Sequence, residues 1–311
     1  MKDQLDNSNI TVHLGQTSDY KDQYDPKLLV KEPRSNNRQH LDINDDDLPF
    51  VGYDTWNAYE VSGLTNGGLP VAGVAKIVYP CDSKYIVESK SIKLYFNSFN
   101  MFKCGDSQQS VLEFIALHAS DDLSQLLETH VDVHVIPSNI KASGDPLFSR
   151  KGYTTLEEVL DPQLLTDMNV ETYTETPDLL ELEDLPEGGI VTSWSKFHSG
   201  LLKSNCRVTS QPDWGDVWIA IKGQNHVTPE SMLKYIISFR DECHFHEEIC
   251  ETIYKRLHDI LSPEKLVVTC LYARRGGIDI NPVRANDQSS IDWACPGLVD
   301  VKIPHVKTSK Q

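Results

Sequence analysis

The sequence lacks the patterns that would place it among membrane, secreted or dinucleotide-fold proteins. No apolar run approaches the roughly 20 residues that span a bilayer. The N-terminus, MKDQLDNSNITVHLG, has neither the basic nor the apolar region of a secretory signal. No G-x-G-x-x-G follows a strand, so a nicotinamide cofactor would have to bind outside a Rossmann unit. These absences predict a cytoplasmic protein without membrane association.

Basic residues are scarce relative to acidic ones. The chain has 29 Lys and Arg against 46 Asp and Glu, a formal net charge of -17. Nucleic-acid affinity comes largely from Lys and Arg that displace condensed counterions from phosphates. We therefore expect no direct nucleic-acid partner.

Cysteine patterns are also missing. The seven cysteines are an odd number and contain no C-x-x-C pair, which argues against a disulfide framework and against a finger or ribbon zinc site. Most of them are expected to be reduced, buried packing residues. A cysteine with another role needs separate support from its neighbours.

The chain divides by composition into four segments. Residues 1–50 are polar and turn-rich and predict an extended leader. Residues 51–150 and 191–311 contain the apolar and aromatic runs of two folded halves. Residues 151–190 connect them, accumulate acids and prolines, and have no Lys or Arg between Lys151 and Lys196. With 311 residues and a mean hydropathy of -0.38, the chain has ample apolar material for a core.

The two halves repeat one plan. In the first half, TWNAYEVSGL and LPVAGVAKIVYP flank TNGG, and this pattern predicts a hairpin. Apolar residues then recur at helical spacing at Val111, Phe114, Ile115, Leu117, Leu123 and Leu126. The segment VDVHVIP alternates in hydrophobicity and predicts a strand. In the second half, CRVTSQPD and DVWIAIKG predict strands. Thr228 and Pro229 predict the start of a helix, and FHEEICETIYKRLHDIL predicts a second helix. The segment KLVVTCLYARRGGIDINP predicts a strand followed by a turn. The pattern predicts an α+β fold built from tandem units rather than alternating βαβ.

Cys206 and Asp213 stand out within LKSNCRVTSQPDWGD. Lys203 and Arg207 make the surroundings of Cys206 more basic than the chain average, and nearby cations favour the reactive thiolate. Asp213 could cap a turn, or it could carry a proton for a thiol that attacks a substrate.

His246 and Glu247 begin the last long helix, close to His244 and Cys250. The run H-E-x-x-C only weakly resembles a zinc-protease helix, and Cys250 falls on the packing face. The adjacent His and Glu are open to two interpretations, a solvated helix start or hydrogen bonds to a polar heterocycle.

Two further groups offer contacts to a charged ligand. The ESKS segment combines Glu88, Ser89 and Lys90, where the carboxylate could accept two N–H bonds from a guanine-like ring and the ammonium could meet a phosphate. A helix cap with an ion pair explains the same residues. Near the C-terminus, Arg275 and Gly276 within RRGG give a second candidate phosphate contact.

Taken together and in this order, ESKSIKLY, LKSNCRVTSQPDWG, FHEE and RRGGIDINP resemble the NADPH-dependent 7-cyano-7-deazaguanine reductases of queuosine biosynthesis. The likeness extends from YDPKLL and PRSNNR in the leader to NPVRAN, and it is to the long, tandem form. The resemblance implies two tunnelling-fold (T-fold) units, each an antiparallel sheet with paired helices, and a homodimer or higher homo-oligomer.

The resemblance also implies a reaction. Cys206 would attack the nitrile carbon to give a covalent thioimide, and Asp213 would supply a proton to the nitrile nitrogen. NADPH would then convert the nitrile to 7-aminomethyl-7-deazaguanine in two hydride transfers. His246 would assist proton transfer as well as hold the substrate.

Binding roles follow by the same analogy. The substrate-binding residues would be Val87, Glu88, Ser89, His246 and Glu247. The NADPH contacts would be Ser89, Lys90, Arg275 and Gly276, and no metal is expected.

Two other functions fit parts of this pattern. A zinc-dependent pterin or GTP hydrolase of the same fold would take its ligands from Cys206, Cys243, His244 and His246. A purine-binding module without catalysis would need neither the thiol nor Asp213. Neither alternative requires Asp213 and the RRGG turn together.

Overall fold

The computed structural model describes residues 23–138, 152–183, 194–304 and 311. It is a mixed α+β structure in which helices pack on a large, mainly antiparallel ten-stranded sheet, so the α+β prediction is confirmed at this level. Predictions for the first part of the leader, for parts of the acidic connection and for most of the tail after Pro304 lie outside the described residues. The helices within the described ranges are too short or too polar to cross a membrane.

The elements are numbered in chain order. The strands are β1 Lys31–Pro33, β2 Val51–Thr65, β3 Pro70–Pro80, β4 Tyr85–Val87, β5 Lys103–Gly105, β6 Asp132–Pro137, β7 Thr154–Thr155, β8 Ser195–Ser199, β9 Lys203–Asn205, β10 Pro212–Lys222, β11 Lys265–Tyr272 and β12 Ile278–Ala285. The helices are α1 Ser35–Arg38, α2 Ser89–Asn97, α3 Gln108–Leu127, α4 Leu156–Val159, α5 Pro162–Asp167, α6 Pro229–Ser238, α7 His246–Leu261 and α8 Gln288–Ala294. Short 3-10 helices cover Pro26–Leu28, Gln39–Leu41, Pro177–Leu179 and Phe239–Asp241.

The predicted hairpin of the first half is β2 and β3. The Thr65 N–H donates to the Leu69 carbonyl at 2.9 Å, and the Thr65 hydroxyl accepts from the Leu69 N–H at 3.0 Å. Gly68 adopts φ 88°, a conformation that favours glycine and explains the TNGG sequence at the turn. The hairpin therefore forms through local turn chemistry.

Helix α3 buries most of the predicted apolar face. Val111, Ile115 and Leu123 are fully buried, and the Ser107 hydroxyl caps the first turn by accepting from Ser110 N–H at 3.1 Å. Leu117 is the exception, because its side chain is 60% exposed. Leu117 was counted on the predicted apolar face because leucine is apolar, but a single exposed leucine is common on protein surfaces.

The second half contains one wrong strand prediction. Residues 203–205 form strand β9, but the Cys206–Ser210 part of CRVTSQPD is a turn, and the next strand begins at Pro212. The predicted helix start is confirmed, since Thr228 accepts from Ser231 N–H and Pro229 is the first helical residue. The β-branched Val208 and Thr209 favoured a strand there, but the chain reverses at this point to pair β9 with β10.

Strands β2 and β12 join the two halves into one sheet. Its order is β6-β3-β2-β12-β11-β10-β8-β7, with β5 beside β2 and β9 beside β10. Trp56 pairs with Ile280 in the β2–β12 register. Every residue of β12 is buried, because α7 packs against one face and α8 against the other. The junction brings the N-terminal ends of α2 and α7 to a common cavity.

A buried ion network attaches the leader to this sheet. Arg34 pairs with Asp54, and Arg284 lies 2.9 Å from both Asp54 and Glu251. Arg38 donates to Glu251 at 2.8 and 3.0 Å. Because these side chains are almost fully buried, each charge depends on its partners for compensation. The described part of the leader is thereby fixed against α7.

The described part of the acidic connection packs on the second half. Glu175 lies 3.1 Å from Arg256 and accepts from the Tyr235 hydroxyl at 3.0 Å. Glu157 accepts from the Ser199 hydroxyl at 3.0 Å and from the Gly200 N–H at 2.9 Å. Its carboxylates thus have specific partners, and the four-segment division of the chain stays a prediction.

Candidate active site

One cavity, of about 240 Å³, lies where the two halves of the sheet meet. Strand β2, the starts of α2 and α7, the start of β10 and the turn before β12 all contribute to its lining. All the predicted site residues except Glu88 line it: Val87, Ser89, Lys90, Cys206, Asp213, His246, Glu247, Arg275 and Gly276. Residues distant in sequence therefore converge on one space.

Cys206 occupies a tight turn after β9. Its N–H donates to the Gln211 carbonyl at 2.8 Å, and its carbonyl accepts from the Ser210 N–H at 2.9 Å. Ser210 has φ 54°, in the left-handed region. The turn returns the chain so that Asp213 pairs with Ser204. The half-buried thiol and the carboxylate thus line the same cavity from the two arms of one turn.

The two cations predicted to act on Cys206 have other partners. The Lys203 ammonium donates to the Asn205 side chain at 2.8 Å and to the Arg240 carbonyl. The Arg207 guanidinium lies 3.1 Å from the Glu248 carboxylate. Both side chains are fixed by these contacts and contribute to the structure around the thiol.

Asp213 is buried between a histidine and an arginine. One carboxylate oxygen bonds the Arg275 guanidinium, and the other lies 3.4 Å from Nε2 of His246. Burial alone would raise the pKa of Asp213, but the hydrogen bond and charge of His246, with those of Arg275, lower it below its usual value. Asp213 is therefore a carboxylate at neutral pH.

His246 and Glu247 begin helix α7. The His246 ring stacks on Tyr272 at 3.8 Å with a 10° angle between the planes. Its Nδ1 and the Oε1 of Glu247 are buried and have no protein hydrogen-bond partner among the described residues. Burial, followed by the charge of Asp54, raises the pKa of Glu247 to about 8. Buried polar atoms without partners are rare and indicate a place for a ligand or water.

Glu88 is not among the residues that line the cavity. Its carboxylate accepts from Lys90 N–H at 2.8 Å and from Ser91 N–H at 2.7 Å, so it caps helix α2. Both oxygens are thus engaged by backbone, and the residue is fully buried. Its binding to the substrate ring stays a prediction, while the cap fixes Ser89 and Lys90 at the cavity.

One side of the cavity is basic, although the chain as a whole is acidic. Lys90, Lys93 and Arg275 line it, together with Ser89 and Gly276. Gly276 has φ 57°, which favours glycine at this position. Ammonium and guanidinium groups beside a glycine turn are the donor set that phosphate groups need, so these residues fit the predicted NADPH contacts.

Sequence reasoning missed several residues of this cavity. They are Trp56, Lys93, Phe245, Ile278 and Ile280, while His244 was named only as a zinc ligand of the alternative function. Lys93 could have been found, because it lies one helical turn after Lys90 on the same face. The residues from β2 and β12 could not, since only the pairing of those two strands brings them to the cavity.

The two histidines proposed as zinc ligands have carboxylate partners. His244 lies 3.1 Å from Glu242 and 3.3 Å from Glu248, and His246 pairs with Asp213. Across the described ranges, no three His, Cys, Asp or Glu side chains are grouped so as to hold a metal ion.

Comparisons with known proteins agree with the motif order. Residues 20–135 match the family described as "Nitrile reductase, 7-cyano-7-deazaguanine-reductase N-term", and residues 212–290 match "QueF-like protein". The chain is 43% identical over 277 residues to a protein of Rickettsia massiliae named NADPH-dependent 7-cyano-7-deazaguanine reductase, covering 89% of this chain and 93% of that protein. It is 40% identical over 282 residues to the protein of the same name from Legionella pneumophila, covering 90% and 91%.

A solved structure, the archaeosine synthase QueF-Like in the apo form, matches at 19% identity over 30% of this chain and 90% of that chain. Its TM-score of 0.27 is too low to support a fold assignment. The family assignment rests instead on the sequence identity to the relatives and on the share of each chain that is covered. The chain belongs to the family of NADPH-dependent 7-cyano-7-deazaguanine reductases, in the long form that carries the N-terminal domain.

Proposed function

We propose that this chain reduces the nitrile of 7-cyano-7-deazaguanine to a primary amine with NADPH, and that Cys206 is the nucleophile. The observation that carries the proposal is the convergence of Cys206, Asp213, His246 and Glu247 on one cavity. The names of relatives that share about 40% of the sequence support the reaction. The product would serve queuosine biosynthesis.

The first step is addition of the thiol to the nitrile. The Cys206 sulfur forms a bond to the nitrile carbon, one carbon–nitrogen π bond breaks, and its electron pair goes to nitrogen. The thiol loses its proton and the nitrogen gains one, so the thioimide has the composition of the two reactants. A nitrile is a poor electrophile, and the adduct converts it to a C=N group that hydride can reduce.

Asp213 is proposed to carry that proton. Because the pKa of Asp213 is lowered, the group enters the step as a carboxylate and first accepts the thiol proton. It then donates the proton to the nitrile nitrogen. The His246 contact at 3.4 Å and the Arg275 guanidinium keep the carboxylate in place and stabilise its charge between the two transfers.

Glu247 and His246 are proposed to bind the deazaguanine ring. The ring presents adjacent N–H donors on one edge, and the Glu247 carboxylate offers acceptors to them. Its Oε1 has no protein partner, which supports this assignment. The flat stack on Tyr272 holds the His246 ring in one orientation, and Val87 lines the same space.

The basic side of the cavity is proposed to bind NADPH through Ser89, Lys90, Arg275 and Gly276. When bound, NADPH would supply a hydride to the former nitrile carbon in each of two reductions, and each reduction would also consume one proton. Between them the carbon–sulfur bond would break, with the nitrogen lone pair forming a C=N bond as Cys206 leaves as thiolate. Arg275 also bonds Asp213, so the same side chain contacts the proton carrier and the cofactor region.

At the level of the fold, we propose that the halves are tandem T-fold units. The support is that each half packs a helix pair, α2 with α3 and α6 with α7, against its own strands of the shared sheet. A homodimer is proposed from the family resemblance, and light scattering of the purified chain tests it. A mass of one protomer would reject it.

The primary test is NADPH oxidation by the purified chain with 7-cyano-7-deazaguanine. We expect two NADPH consumed for each nitrile lost. No consumption by a folded sample would reject the reductase and would favour a binding module without catalysis if the ring still binds. Stoichiometric zinc whose removal abolishes activity would favour the hydrolase instead.

A further inference from the structure

Arg207 and Glu248 connect the nucleophile turn to the helix that carries the proposed substrate ligands. Arg207 follows Cys206 directly, and Glu248 follows Glu247 in the first turn of α7. Their charged groups lie 3.1 Å apart, with 17% and 6% of the side chains exposed. Ion pairs shielded from water are stronger and less screened by salt than surface pairs.

The other Glu248 oxygen contacts two residues of the cavity lining. It accepts from the Phe245 N–H at 3.0 Å and lies 3.3 Å from Nδ1 of His244. The Arg207 guanidinium also lies 5.4 Å from the centre of the Phe245 ring, over its face. Because His244 and Phe245 both line the cavity, Arg207 and Glu248 hold the part of the lining that directly precedes His246 and Glu247.

On its upstream side, the turn is held by the segment that precedes α7. Asn205 N–H donates to the Glu242 carbonyl at 2.7 Å, and the Asn205 carbonyl accepts from His244 N–H at 3.1 Å. After Cys206, the Arg207 guanidinium lies 3.1 Å from Glu248 on α7, and Asp213 on the downstream arm lies 3.4 Å from His246. The thiol thus lies between an upstream backbone contact and a downstream ion pair.

We propose that Arg207 and Glu248 are positioning residues for nitrile addition, which hold the Cys206 sulfur at attacking distance from a ring bound by Glu247. This inference rests on the proposed function. Attack requires the reacting atoms at roughly 3–3.5 Å, and a misplacement of about 1 Å can cost on the order of 10²-fold in rate. Loss of the pair should therefore slow the covalent step without weakening ring binding.

A purely structural role for Glu248, as the cap of α7, would not require its negative charge. Its carboxylate caps the start of α7 by accepting from the Phe245 N–H at 3.0 Å, and a glutamine side chain can keep that bond. Glu248→Gln therefore removes the charge that Arg207 requires while the helix start stays capped. Arg207→Gln removes the other partner and leaves Glu248 intact, so it serves as the second variant if Glu248→Gln folds poorly.

The experiment measures two quantities in each variant without NADPH. One is the rate of adduct formation with 7-cyano-7-deazaguanine, followed by absorbance and intact mass. The other is the Kd of 7-deazaguanine, which has no nitrile. We expect each variant to slow adduct formation about 10- to 100-fold with ring affinity within about twofold, and the double variant to be no slower than either single one. Glu230→Gln, which breaks the partly exposed pair with Lys234 on α6, is the matched control and should match wild type.

Unchanged adduct formation in both variants would overturn the inference while leaving the proposed function intact, provided that wild type forms the adduct. Parallel losses of adduct rate and ring affinity would also overturn it, because they would indicate a general collapse of the cavity. Absence of an adduct in wild type would instead reject the covalent mechanism itself.

Discussion

The Asp213 carboxylate lies 3.4 Å from Nε2 of His246 and bonds the Arg275 guanidinium through its other oxygen. This arrangement joins residues from β10, α7 and the turn before β12 around one buried carboxylate. It keeps the carboxylate ionised and oriented while leaving it on the cavity surface. A proton carrier needs both properties, because it must accept from one group and donate to another in a fixed place.

Asp213→Asn should slow nitrile addition by about 10²- to 10⁴-fold, the usual contribution of a positioned acid–base group. Asparagine preserves the shape but cannot accept the thiol proton. Ring affinity should be retained, because Glu247 is unchanged. Single-turnover adduct formation checks the rate, and titration with 7-deazaguanine checks the affinity. An unchanged rate would remove the proton-carrier role.

Cys206→Ala should abolish both adduct formation and NADPH oxidation, because no other group supplies the bond to the nitrile carbon. Binding of 7-deazaguanine should persist, since the proposed ring ligands lie on α7. Cys243→Ala is the matched control, because Cys243 is exposed on the segment that pairs with Asn205. Appreciable turnover by Cys206→Ala would refute the covalent route.

Most of the residues that line the cavity could be named from the sequence, because the family motifs are short and each maps to one structural feature. The motif LKSNCRVTSQPDWG forms a turn and two strand ends, and FHEE forms the start of a helix. What the sequence could not give was the pairing of β2 with β12, which brings Trp56 and Ile280 together. Contacts between residues more than 200 positions apart have no local sequence signal.

Local rules misassigned one segment. The β-branched residues after Cys206 favoured a strand, but the turn that pairs β9 with β10 prevails there. Glu88 caps α2 with both carboxylate oxygens, which is one of the two roles that its residue type permitted. Its binding to the substrate ring stays a prediction.

Ring binding should release a proton near neutral pH. The pKa of Glu247 is raised to about 8 in the free protein, so the group is mainly protonated at pH 7, whereas the N–H donors of the ring favour the carboxylate. Affinity should therefore increase as pH rises from 6 toward 8 and then level off. Calorimetry in buffers of different ionisation enthalpy measures the released proton.

Glu247→Gln tests the source of that proton. The variant should bind the ring more weakly and without pH dependence over the same range, while Glu230→Gln on α6 should behave as wild type. Proton release that persists in Glu247→Gln would assign the effect to another group.

Acid should weaken the fold through Glu251, the carboxylate at the centre of the buried arginine network. Burial opposes its ionisation, but Arg284, Arg38 and Arg34 outweigh it and lower the pKa from 4.5 to about 2. A depressed pKa stabilises the folded state above the ordinary value of 4.5, and this contribution is lost as pH falls from 4.5 toward 2.

Glu251→Gln should therefore lower the free energy of unfolding by about 3–5 kcal/mol at pH 7, because it leaves buried guanidinium groups without their counter-charge. The difference in unfolding free energy between the variant and wild type should shrink as pH falls below 4.5, because protonation then removes the Glu251 charge from wild type. Urea unfolding at several pH values measures both quantities. Glu264→Gln is the control, because its pair with Lys222 is largely exposed and should contribute only about 0–1 kcal/mol. Equal losses in the two variants would mean that the buried network does not fix the leader to α7.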